Sequence, residues 1–259
     1  MLRLEKIGFR YGTKDDDFEL RDINLDVSSG EFITILGPNG SGKSTLLNLI
    51  LGDLVPYRGE IFFNDQPYSS YSRKEIAKRV SFVPQKYYSV YPFSVYEIVA
   101  MGRTPYLNLL GFEKEDDLIK INNALELVGI SHLKNKSINS ISGGEAQRAF
   151  IARAIAQEPE LILLDEPNAH LDLEHQLSIF NLLKKLNDEE QLTIIMVSHD
   201  LNLAGCYSKR IVLMKSGNIF LDDEKSKVLT QDNISKVFRV NSKIYNEGNN
   251  INVAIFPTN

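Results

Sequence analysis

Apolar and polar positions set the first expectations. Leu2 to Phe9 alternates apolar and charged side chains, and Phe18 to Val27 alternates again through Leu20, Ile23, Leu25 and Val27. Period-two alternation predicts strands with one wet face, which is the habit of an antiparallel sheet. Between them, Lys14-Asp15-Asp16-Asp17 reads as a polar hairpin tip. Gly59 to Asp65 predicts another strand, and Val80 to Pro84 a further one ending at Gln85. Thr193 to Val197 predicts a strand as well, and two other runs are apolar at nearly every position: Glu31 to Leu36 and Leu161 to Leu164. Strands buried on both faces read this way. Arg210 to Met214 continues the set.

From Ser94 to about Gln157 the period changes to that of a helix. Val95 to Met101 is helix-like, and Leu118, Ile121, Leu125 and Val128 recur at helical spacing within Glu113 to Val128. A long helix is expected over Glu174 to Leu186, between two apolar strands, and a short one near Asn233 to Val237. Strand alternating with helix implies a parallel sheet, with ligands at the carboxyl ends of its strands. The tail ends in an expected hairpin, Lys243 to Tyr245 with Ile251 to Phe256, around Gly248-Asn249-Asn250. The chain therefore reads as one domain, 1–259. Residues of about 1–90 and 158–259 form a core with an antiparallel part, and about 91–157 form a helical insert.

Composition narrows the class. Of 259 residues, 43% are hydrophobic and 24% charged, the profile of a soluble globular chain. A net charge of -5 argues against a nucleic-acid partner. The one cysteine, Cys206, cannot form an internal disulfide, which suits a reducing compartment, and it sits among apolar residues as a core thiol. No apolar run approaches the roughly 18 residues of a membrane span. If the chain works at a membrane, another chain must carry it there.

The chemistry concentrates at Gly37-Pro38-Asn39-Gly40-Ser41-Gly42-Lys43-Ser44-Thr45, between an expected strand and an expected helix closed by Gly52. Glycines let such a loop curl until successive N–H groups point at phosphate oxygens, and the helix N-terminus adds partial positive charge. Lys43 reaches the outer phosphates, and the Ser44 hydroxyl can hold Mg2+. A second anchor is Asp165-Glu166, at the end of the apolar run from Leu161. If that strand neighbours the one before the loop, Asp165 holds the metal and Glu166 is the general base for an attacking water. Two acids where a strand meets solvent would look the same.

Other positions carry two readings. Ser142-Gly143-Gly144-Glu145 is a capping box opening the helix Ala146 to Gln157, and two glycines there would also expose N–H groups to a γ-phosphate. Gln85 is either a surface amide or a strand-end group touching Mg2+ or water. His199 in Ser198-His199-Asp200 is either part of a capping turn or a donor to a phosphate; three adjacent residues cannot align as a triad. Tyr11 is a packed strand-end residue or a ring that stacks on a base. His132, His170 and His175 show no metal-site spacing.

Taken in order, these segments resemble the ATP-binding subunits of ABC transporters over nearly the whole chain. Tyr11 is similar to the adenine-stacking aromatic loop, Gly37 to Thr45 to Walker A, Gln85 to the Q-loop and Ser142 to Glu145 to the signature motif. Leu161 to Glu166 is similar to Walker B, Asn168-Ala169-His170-Leu171-Asp172 to the D-loop and His199 to the switch histidine. Ile141 and Glu145 stand where the common signature has Leu and Gln, and Asn168 where the D-loop often has Ser or Thr. Glu145, His170-Leu171-Asp172, Gly102 to Tyr106, Gly111-Phe112 and the tail from Val228 to Phe238 are similar to the subgroup that imports iron-siderophores, haem and cobalamin.

The resemblance implies a P-loop NTPase fold of ABC type: a mostly parallel core sheet, an antiparallel β subdomain and a helical subdomain. It implies ATP and Mg2+ as ligands, with Ser44, Gln85 and Asp165 at the metal and Glu166, His199 and Gln85 in catalysis. Two copies are expected head to tail, each ATP lying between one copy's Walker A and the other's Ser142-Gly143-Gly144. The further partners are membrane permease subunits and, indirectly, a substrate-binding protein, which puts the chain peripherally on the cytoplasmic face of the cell membrane. Apolar and aromatic residues at Tyr87 to Phe93 and Tyr106 to Phe112 are expected either to receive the permease or simply to pack. An importer motor for another small solute shares these motifs. A soluble ABC ATPase acting on nucleic acid or ribosomes would usually show two linked halves or a coiled-coil insert, and a non-hydrolysing switch would not need Glu166.

Overall fold

The computed structural model describes residues 1–12, 18–85, 91–107, 114–169 and 171–257. The expected hairpin tip at Lys14 to Asp17, and Tyr87, Tyr88, Gly111, Phe112 and His170, lie outside the described residues.

The strands are β1 (Leu2–Arg10), β2 (Glu19–Val27), β3 (Phe32–Leu36), β4 (Arg58–Phe63), β5 (Gln66–Pro67), β6 (Val80–Val83), β7 (Leu161–Asp165), β8 (Thr193–Val197), β9 (Arg210–Lys215), β10 (Asn218–Glu224), β11 (Asn241–Glu247) and β12 (Asn250–Phe256). The helices are α1 (Lys43–Leu51), α2 (Arg73–Arg79), α3 (Val95–Ala100), α4 (Glu115–Leu127), α5 (Gly143–Ala156), α6 (Leu173–Glu190), α7 (Leu201–Tyr207), α8 (Lys225–Val228) and α9 (Gln231–Phe238).

The central sheet runs β10-β9-β3-β8-β7-β6, with every pair parallel except β9 and β10. The alternating N-terminal strands form the separate antiparallel sheet β2-β1-β4-β5. The tail pairs as the hairpin β11–β12.

The apolar runs are buried on both faces, as their composition requires. Leu161 and Leu163 of β7 join a core with the β1–β2 sheet and α1, while Ile162 and Leu164 join another with α3, α4, α5 and α6. The helices of 95–156 pack on one another, and α5 also packs on β6. Three of the helices open on the same device. Ser72, Ser94 and Ser142 each accept the amide of the residue three positions on, whose glutamate reaches back to the serine amide.

One premise of the sequence reading fails. β3 and β7 are not neighbours, because β8 lies between them. Helix α1 bridges the gap: it leaves β3, crosses β8 and packs against β7 and β6. Its first turn is thereby carried to the carboxyl end of β7.

Candidate nucleotide site

The loop after β3 is shaped by positions where a side chain does not fit. A Cβ on Gly37 would lie 2.4 Å from the Met214 carbonyl oxygen, and one on Gly42, at φ 103°, 2.5 Å from Leu20 Cδ2. Inside the loop the Ser41 amide donates to the Pro38 carbonyl (3.2 Å). Gly42 has no side chain to cap α1, and the first turn of α1 contains no acid. Its leading N–H groups thus keep their partial positive charge with no acid of the helix itself to offset it, which favours an anion there. Lys43 is 94% buried and folds back over the loop, donating to the carbonyls of Gly37 (2.8 Å) and Pro38 (3.1 Å). Burial pushes its ammonium below the usual lysine value, against the opposing pull of Glu166 and Asp165.

The acids arrive from β7. Burial lifts the Asp165 carboxyl above its usual value; the Ser44 hydrogen bond pulls it down, Glu166 adds to the lift, and Lys43 and His199 lower it. Glu166 follows at φ 48°, in the left-handed region, with its amide tied to the Val197 carbonyl (3.0 Å). That backbone conformation is uncommon for a side chain of this size and is kept only by the surrounding structure. The carboxylate is held at both oxygens. Gln85 Nε2 donates to Oε2 at 2.6 Å, and His199 Nε2 stands 2.5 Å from Oε1.

A cavity of about 320 Å3 joins these parts. It is lined by Tyr11, Phe18, Asn39, Gly40, Gly42, Lys43, Ser44, Thr45, Glu166 and His199. Lys43 and Glu166 face one space although β8 separates their strands. Tyr11 is 60% exposed, its hydroxyl 3.3 Å from Thr45 Oγ1 and its ring edge-on to Phe9. Ser142, Gly143 and Gly144 do not line this cavity; they stand at the N-terminus of α5. There the capping box is complete, and its hydrogen bonds hold the Glu145 carboxyl below its usual range. The amides of Gly143 and Gly144 lie outside the box.

The donor set suits Mg2+. Ser44, which lines the cavity, is hydrogen-bonded to Asp165 behind it, and both offer hard oxygens. No group of three or more His, Cys, Asp or Glu forms a cage among the described residues. Mg2+ is usually held by one or two protein oxygens together with substrate phosphates.

Sequence reasoning missed three features. Phe18 lines the cavity beside Tyr11; an aromatic opening a strand gives no sign of that. His175 lies against Gly144, so that a Cβ there would meet its Cδ2 at 2.1 Å, and its Nδ1 is 2.7 Å from Asp172. A larger cavity, about 740 Å3, lies elsewhere, between Leu54, Val55, Tyr68 and Tyr71 on one side and Met101, Thr104 and Pro105 on the other. Of the aromatics expected there, Tyr106 packs on Arg103 and donates to the Gln157 carbonyl, Phe93 packs on the helical core, and Tyr91 is exposed.

Comparison with known proteins gives the family. The family model described as ABC transporter matches residues 20–169. The iron(3+)-hydroxamate import ATP-binding protein FhuC of Bacillus subtilis is 37% identical, over 94% of this chain and 89% of its own length. The ferric enterobactin transport ATP-binding protein FepC of Escherichia coli is 32% identical, over 95% and 90%. Among solved structures, an inward-facing ABC transporter described as of metal-chelate type superposes with a TM-score of 0.85 at 32% identity, covering 100% of this chain and 97% of that one. A dimeric ATP-binding cassette bound to ADP and Pi gives 0.75 at 30% identity, over 87% and 99%.

Proposed function

Because the chain belongs to the ABC transporter family, we propose that it is the ATP-hydrolysing subunit of an importer for iron chelates of the siderophore or haem type. The observation that carries the proposal is the shared cavity, with Lys43 on one side and a Glu166 carboxylate fastened by Gln85 and His199 on the other.

In this reading the loop amides, the α1 N-terminus and Lys43 hold the triphosphate, and Tyr11 takes the base. Ser44 and Asp165, with Gln85, would hold Mg2+, which would supply charge neutralisation at the phosphates. Glu166 takes a proton from the attacking water, and His199 orients that carboxylate and reaches the γ-phosphate. Fixing both carboxylate oxygens before substrate arrives is preorganisation, which lowers the reorganisation needed at the transition state.

Each site is completed by a second copy, whose Ser142-Gly143-Gly144 amides meet the γ-phosphate. ATP then joins two helix N-termini that repel without it, and hydrolysis releases them. The groove of about 740 Å3 takes a segment of the permease. No helix among the described residues is long and apolar enough to cross a membrane. In this reading the chain works on the cytoplasmic face through that permease. Cargo contacts belong to the permease and substrate-binding protein. The relatives' cargoes, iron(3+)-hydroxamate and ferric enterobactin, support the chelate class.

The test is the concentration dependence of turnover. ATP hydrolysis per mole of purified chain is expected to rise with protein concentration across the range where sedimentation shows monomer. A rate per mole that stays flat across that range overturns the shared site.

A further inference from the structure

The motifs leave the C-terminal hairpin without a role, yet it grips the helix that follows His199. Ser198 is fully buried, its amide donating to the Ile35 carbonyl (3.2 Å) and its hydroxyl accepting from Asp200 N–H (3.0 Å). Asp200 caps α7, accepting from the amides of Asn202 (2.8 Å) and Leu203 (2.9 Å). His199 therefore stands between a fixed strand end and the first turn of α7, and the pose of α7 sets where its ring points.

The hairpin fixes that pose at two places. Asn202 Oδ1 accepts the amide of Val253 at 2.6 Å. Gly205, one turn further, is packed so closely on β12 that a Cβ would lie 2.1 Å from the Ile251 carbonyl oxygen. Ile251 and Val253 are buried in the cluster that holds Leu201 and Ala204. Ile255 continues the same face of β12 and, with Val253, walls a second cavity of about 440 Å3 whose far side is Glu166 and His199. The hairpin thus reaches the catalytic pair from the side away from Lys43.

We propose that the hairpin β11–β12 is a clamp for hydrolysis, with Asn202 as the positioning residue that transmits its hold to His199. This rests on the role given above to His199. Asn202 is exposed, so its substitution leaves the apolar packing of α7 in place. Nothing in the contact touches the loop, Lys43 or Tyr11.

The test is steady-state ATP hydrolysis by Asn202→Ala, Asn202→Asp, Gly205→Ala and His199→Ala in the full chain, with melting curves for each. Asn202→Ala is expected to lower kcat about 5- to 20-fold, within the roughly 100-fold that ångström-scale misplacement can cause, and to leave KM for ATP within about twofold. Asn202→Asp keeps an acceptor and should recover most of the rate, while Gly205→Ala should repeat the loss. Normal turnover in His199→Ala would instead strike the reading of the histidine itself. With His199→Ala inactive, the clamp is overturned by wild-type kcat in Asn202→Ala, by a rise in KM that matches the fall in kcat, by failure of the aspartate to rescue, or by a general loss of folding.

Discussion

Gly144 offers a quantitative handle on the surface each copy presents to its partner. Replacing it by alanine puts a Cβ 2.1 Å from His175 Cδ2, 2.8 Å from Cγ and 3.0 Å from Nε2. The contact must open to at least 3.4 Å before it is ordinary. The imidazole is tethered through Nδ1 to Asp172, which caps α6, so part of the displacement falls on the start of α5. Overpacking of this kind costs about 1–3 kcal/mol. Placed on the amides proposed to meet the partner's γ-phosphate, that predicts a dimer about 5- to 150-fold weaker. The assay is ATP-driven dimerisation followed by sedimentation in a Glu166→Gln background, beside calorimetry of ATP binding to the monomer. Monomer binding should be unchanged, since Gly144 does not line the nucleotide cavity. Removing the obstructing ring should restore the dimer, so Gly144→Ala with His175→Ala should associate nearly as well as the parent. Undiminished dimerisation in the single variant, or no recovery in the double one, refutes the reasoning.

Further outcomes follow from the same geometry. Lys43→Ala removes the cation and both loop hydrogen bonds, and calorimetry should show ATP affinity at least about tenfold weaker, as for loss of a charge-assisted contact. Asp165 is raised by burial, so the folded chain takes up its proton at higher pH than the unfolded chain does. The stability that proton lends is present at low pH and is lost as pH rises through the raised value. Asp165→Asn should therefore melt above the parent at pH 7 without nucleotide while losing hydrolysis, and a lower melting temperature would contradict this. Leu163, fully buried in β7, should cost about 2–5 kcal/mol on truncation to alanine, read by denaturant unfolding at constant m.

What could be read from the chain depended on range. Strand, loop and helix around Lys43 are local, and the letters carry them. The two-faced burial of β7 is local too, because four consecutive apolar residues leave it no wet side. The order of strands is not local: periodicity states that β3, β7 and β8 are buried, not that β8 lies between the other two. Nor does any local signal join Gln85, Glu166 and His199, which meet only when the ends of β6, β7 and β8 come side by side. Helix α6 outruns its expected end because Asn187 to Glu190 are polar without being a stop, and the turn is made by Gln191 at φ 53° where a glycine would have announced it. Helix α5 begins at Gly143 rather than Ala146, directly after its serine cap.

The central claim is that Glu166 is the base for a water attacking a nucleotide held at Lys43, and Glu166→Gln tests it most directly. The amide keeps the shape of the side chain and its contact with Gln85 but cannot take a proton. Steady-state ATP turnover should vanish while ATP binding persists and the ATP-bound dimer accumulates; turnover at the parental rate would contradict the account.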